Sequence, residues 1–146
     1  MHTEHLQNVT VGRVVAGWLV AVAVTSLVAL ALISFGLMHE DAAGSTWWSL
    51  VAVALGFLAG GFFAGARAIQ APILHAVGMG LVSLVAWAVL NTLAALFFRD
   101  WSWSSLTPQL TIALLLAQLA AAMVGALFGY NMALRGQPGL SEHEPA

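Results

Sequence analysis

The stretch GFLAGGFFAGAR, Gly56–Arg67, holds four glycines in twelve residues and a single charge at its end. In water, glycine weakens a helix by about 1 kcal/mol relative to alanine. In lipid the balance changes. Burying one apolar side chain against another brings little gain there, so helices associate through close backbone approach and interhelical hydrogen bonds, and small residues permit that approach. Gly56 and Gly60 stand four apart, and so do Gly61 and Gly65. At ~100° per residue the two pairs point about 140° apart around the helix. This segment therefore offers two close-packing faces and is expected to sit between two neighbouring helices.

The composition makes lipid the solvent. Of 146 residues, 61% are hydrophobic and 7% charged, against roughly 25% charged in an ordinary soluble domain. Mean hydropathy is +0.93. A chain of this size cannot hide that much apolar surface from water. Four apolar runs stand out, at 14–37, 47–66, 72–98 and 107–134, and none carries a charged side chain. Each reaches the ~20 residues that cross a hydrocarbon core of ~30 Å. The first is too long for the apolar core of a signal peptide and reads as an uncleaved helix. Short polar breaks between the runs make consecutive helices alternate in direction. The expected fold is all-α: a four-helix transmembrane bundle built from two helical hairpins. It spans 14–135, between an N-terminal segment 1–13 and a flexible tail 136–146.

Charge placement sets an expected orientation. Arg13, Arg67 and Arg135 fall on one side of the membrane and Arg99 on the other. By the positive-inside rule both termini are cytoplasmic, in a bacterial inner membrane. Trp47, Trp48, Trp101 and Trp103 then cluster at the outer boundary, where an indole N–H stays hydrated. A net charge of −2 with no lysine excludes a nucleic-acid footprint.

Further rows of small residues extend the packing theme. Ala113, Ala117, Ala121, Gly125, Gly129 and Ala133 follow at intervals of four in the last run, and Gly17, Ala21, Thr25 and Ala29 in the first. Such rows serve the bundle itself, or one of them, on the last helix, receives another chain. The partners expected are membrane lipid and other transmembrane helices, in a complex or a homo-oligomer. The two halves also share an outline: a Ser-Leu step (Ser49-Leu50, Ser105-Leu106), then a glycine pair, then an arginine. Duplication and convergence under the same membrane constraints both account for it.

The segment GGFFAGARAIQAPILHAVGMG, Gly60–Gly80, resembles a bacterial family of small four-span membrane proteins of unknown function. That family carries a Gly-Gly-x-x-Ala-Gly-basic turn between spans two and three, then a His-Gly step. Gly60, Gly61, Ala64, Gly65, Arg67 and His75 match; Ala66 intervenes before the arginine, and Ala76 replaces the second glycine. The resemblance implies a four-helix bundle and carries no activity.

Little chemistry is on offer. No ionisable residue lies in mid-span, which argues against a proton relay. Ser83, Asn91 and Gln118 are the polar groups of interest within the spans, bridging helices or lining a small polar path. His2 and His5 flank Glu4 near the start, His39 adjoins Glu40 and Asp41, and His143 lies in the tail; none is expected to hold a metal. No cofactor is expected either. For His75 the favoured role is a loop hydrogen bond or an interface contact; the alternative, with Ala76, Gly78 and Gly80 leaving room beside it, is axial ligation of a haem or chlorophyll. There is no cysteine and no nucleophile–base–orienter set, so no enzyme is expected. The function expected is a non-catalytic accessory or scaffolding subunit packing against partner transmembrane helices, such as those of a respiratory or photosynthetic complex. The alternative is a small homo-oligomeric transporter or channel for an uncharged or small solute.

Overall fold

The computed structural model of the chain describes residues 9–38, 43–68, 71–98 and 108–136. They form four helices: α1 (Val11–Ser34), α2 (Ala43–Arg67), α3 (Pro72–Phe97) and α4 (Pro108–Arg135). Each is long and apolar enough to cross a membrane, and no strand occurs among the described residues. Three features of the breaks between helices (His39 to Asp41, Arg99 to Trp103, and the second Ser-Leu step) lie outside the described residues, as do His2, Glu4, His5 and His143.

Helix ends follow local chemistry rather than hydropathy. The first apolar run continues to Leu37, yet α1 stops at Ser34. Gly36 adopts φ 69°, the Gly36 N–H donates to the Ile33 carbonyl, and the Leu37 N–H donates to the Leu32 carbonyl at 2.9 Å. Those two bonds are a Schellman stop, which needs a left-handed residue just past the helix. The start of α3 is less ordinary. Pro72 suits the first helical position, but Ala71 before it sits at φ 57°, ψ 53°. That left-handed conformation costs a non-glycine residue roughly 1–2 kcal/mol, so its surroundings must hold it there.

Packing centres on α2. Its interfaces with α4 and α1 are much the most extensive, while α3 makes smaller contacts with α4, α1 and α2. Gly60 rests on Gly17 and Ala21 of α1, and Gly56 on Ala21 and Thr25. The numbering rises along one helix as it falls along the other, so α1 and α2 are antiparallel. On another face of α2, Gly61 meets Ala122 and Gly65 meets Ala126. Here the numbering rises together, so α2 and α4 are parallel. This non-consecutive parallel pair outweighs the α3–α4 contact. Phe62 and Phe128 flank it, their ring centroids 6.3 Å apart.

The core lies toward the end of the bundle that carries Arg13, Arg67 and Arg135. Val14, Phe57, Ala64, Ala76, Met79 and Ala126 are among its members. Close approach there leaves room for alanines and few larger side chains. Arg67 leaves this end of α2 and lies over the Phe63 ring, 3.8 Å from its centroid, a geometry in which an aromatic face stabilises the cation. Helix α3 joins the core only at this end. Its buried residues are Pro72, His75, Ala76 and Met79, and none from Leu81 to Phe98 is buried.

Candidate functional site

His75 is the one buried polar side chain among the described residues, with 0% of its surface exposed. Its position is a consequence of the turn before α3. The Ala71 carbonyl, aimed by the left-handed backbone, lies 2.9 Å from His75 Nδ1 and also accepts the His75 backbone N–H at 3.3 Å. Nδ1 can only donate to a carbonyl, so the ring carries its proton there and Nε2 is left as an acceptor. Nε2 receives the backbone N–H of Thr10, 3.3 Å away. Thr10 is the N-cap of α1 and makes no side-chain cap of its own. One imidazole thus holds the strained turn and fastens the start of α1 to the start of α3. The Nε2 lone pair that an axial ligand would give to a metal is the one that accepts from Thr10 here, and Gly78, expected to leave space beside the ring, is instead covered by Val14.

A second clasp joins the same two helices further along. Trp18 Nε1 donates to Ser83 Oγ at 3.0 Å. Ser83 was a candidate in the sequence; Trp18, Thr10 and Ala71 were not. The available signal for Trp18 was its place inside an apolar run, because an indole N–H in lipid must find an acceptor.

The other polar candidates have separate surroundings. Asn91 Nδ2 donates to the Trp87 carbonyl at 2.9 Å, and Thr92 Oγ1 to the Ala88 carbonyl at 2.8 Å. Asn91 lines a shallow groove with Leu90, Leu93, Ala94, Phe97 and Phe98, all at the far end of α3. Gln118 continues the Ala122, Gly125 and Gly129 face of α4 by one turn, toward α2. Its Oε1 is buried without a hydrogen-bond partner, as is Thr25 Oγ1 against Gly56. The expected bridge between helices through Gln118 is therefore not formed through this oxygen. The structure does not gather Ser83, Asn91 and Gln118 around one path.

The small-residue candidates divide. Gly56, Gly60, Gly61 and Gly65 are buried against α1 and α4, and Gly125 and Gly129 against Leu58 and Phe62 of α2. The row on α4, expected as the seam most suited to another chain, is occupied at both glycines by this chain's own α2. Ala117 and Ala121 are half-buried. No group of metal-ligating side chains occurs among the described residues. No family model matches the chain, and neither a curated protein nor a solved structure is found to be similar to it.

Proposed function

We propose that the chain is a non-catalytic integral membrane subunit that packs against partner transmembrane helices, and that the far half of α3 is the face it presents to them. One observation carries this reading: from Leu81 to Phe98 no side chain of the helix is buried, although Val82 and Ser83 still touch the bundle, and the stretch holds two adjacent polar residues. Leu81, Val85, Leu90 and Leu96 are exposed there, a surface that lipid alone would satisfy. Asn91 and Thr92 sit in its midst. At ~1.5 Å per residue Asn91 lies about 9 Å inside the end of α3, within reach of the hydrocarbon region. An asparagine amide has two N–H groups and a carbonyl oxygen, and the Trp87 carbonyl takes one N–H. The remainder favours a partner in a medium with no water. An interhelical hydrogen bond of this kind contributes roughly 0.6–2 kcal/mol.

The arginine end is read as cytoplasmic, with both termini there, by the distribution of Arg13, Arg67 and Arg135. The glycine faces of α2 and α4 support the role indirectly. They join α2 to α1 and α4 without the far half of α3, which leaves that half to serve another protein.

The test is extraction from native membranes in a mild detergent, with co-purifying chains identified by mass spectrometry. A stoichiometric partner lost in Asn91→Leu and Thr92→Val, but kept in Ser83→Ala, supports the reading. A chain that purifies alone as a monomer under conditions that preserve known membrane complexes refutes it.

A further inference from the structure

The contacts within the bundle repeat at a fixed distance along the sequence. A Cβ added at Gly61 would meet the Ala122 carbonyl, and one added at Gly125 would meet the Leu58 carbonyl. Gly125 stands 64 positions after Gly61, and Ala122 stands 64 after Leu58. Each contact is therefore the image of the other. The next turn repeats the relation: Gly65 meets Ala126 and Gly129 meets Phe62, again 64 apart in both pairs. An interface in which residue i meets j while the image of i meets the image of j is isologous, the mark of a two-fold axis.

The α1–α3 contact has the same register, although it involves different residues and different chemistry. Gly78 meets Val14, 64 positions before it. The Thr10–His75 and Trp18–Ser83 hydrogen bonds each join residues 65 apart. A residue that touches its own image lies beside the axis. Because α2 runs parallel to α4 and α1 to α3, the axis runs along the helices, through the membrane.

We infer that the chain is a tandem of two equivalent helical hairpins, α1–α2 and α3–α4, facing each other across an approximate two-fold axis. The glycine face of α2 is then a self-complementary association surface, and the partner it fits is a hairpin of the same kind, supplied within this chain by α4. The register is set by the glycines, not by the Ser-Leu steps, which stand 56 apart. The equivalence breaks at one place. The images of Gly17 and Ala21 are Leu81 and Val85, and the image of Gly60 is Val124; these are 58%, 63% and 57% exposed. The seam that closes α1 onto α2 is open between α3 and α4, because bulky aliphatic side chains replaced the small ones that allow close approach.

The full-length chain suits a cross-linking test, since it contains no cysteine. In V14C/G78C the two Cβ atoms would be 3.7 Å apart, inside the ~3.5–4.5 Å range of a disulfide. Oxidation in membranes is expected to give a monomeric product with an internal bridge, and V14C/L93C none. Thermal unfolding in detergent supplies an independent reading. Gly61→Ala and Gly125→Ala are expected to lower the midpoint by matching amounts, and Gly65→Ala and Gly129→Ala likewise. Gly60→Ala lowers it, while Val124→Ala, at the image position, barely moves it. Absence of the 14–78 bridge, or a large shift for one glycine of a pair with none for its image, overturns the inference. Neither outcome bears on the partner proposed for α3, which is read by co-purification.

Discussion

Gly56→Ala isolates what close approach contributes to this bundle. The added methyl would lie 2.6 Å from the Ala21 carbonyl oxygen and 2.8 Å from the Thr25 backbone nitrogen, and against Thr25 Oγ1. Ordinary contacts to carbon fall near ~3.5 Å. The obstacles are backbone atoms of α1 and a β-branched side chain, which has little rotamer freedom in a helix, so the helices themselves must part by the better part of an ångström. A gap of ~0.5–1 Å already forfeits a quarter to a half of a van der Waals well. Overpacking of this kind costs about 1–3 kcal/mol. Alanine's better helix propensity returns up to ~1 kcal/mol. The net expectation is a loss of about 1–2 kcal/mol. Gly12→Ala is the matched control, because nothing lies within 4 Å of a Cβ there; it gains propensity alone, about 0.5–1 kcal/mol. Thr25→Ala does not rescue Gly56→Ala, since the Ala21 carbonyl remains. The assay is reversible unfolding in mixed detergent micelles, followed by tryptophan fluorescence. A Gly56→Ala variant as stable as Gly12→Ala would show that the α1–α2 seam is not held by backbone proximity.

Four more substitutions test the polar contacts in the same assay. His75→Leu strands the Thr10 N–H and leaves the Ala71 carbonyl with only the backbone N–H of residue 75, and is expected to cost roughly 1–3 kcal/mol; an unchanged midpoint would show that the imidazole does not join α1 to α3. Trp18→Phe and Ser83→Ala each remove the same part-buried hydrogen bond, about 0.5–1.5 kcal/mol, and the double variant costs little more than either single one, because they share that bond. Gln118→Leu replaces a buried, unpartnered oxygen with carbon and is expected to raise stability by about 1 kcal/mol; a clear loss would reveal a hydrogen-bond partner at that site.

How far each feature could be read ahead depended on how local its cause is. The four spans were legible because crossing length and hydropathy belong to a single stretch of chain. Their ends were less so. Gly36 stops α1 through two backbone bonds, although Leu37 still reads as apolar, and α2 begins at Ala43, ahead of the first large side chain. The two glycine faces of α2 follow from spacing alone. His75 was visible as a singular residue in the first turn of α3, but its burial was not. The ring is closed off by Thr10, 65 residues away, and by a left-handed alanine that no propensity anticipates.

The amino-acid sequence, by itself, determined that this is a chain of four apolar helices with alternating directions and with faces that permit close contact. Those properties arise from composition and from the ~3.6-residue turn, which need no knowledge of neighbours. Only the tertiary structure decided which faces meet. It placed α2 between α1 and α4, used the glycines of α4 within the chain, and left the far half of α3 uncovered. Small-residue rows are alike in sequence, and in lipid the preference among them comes from whether backbones can interlock at a given register, a property of two helices together.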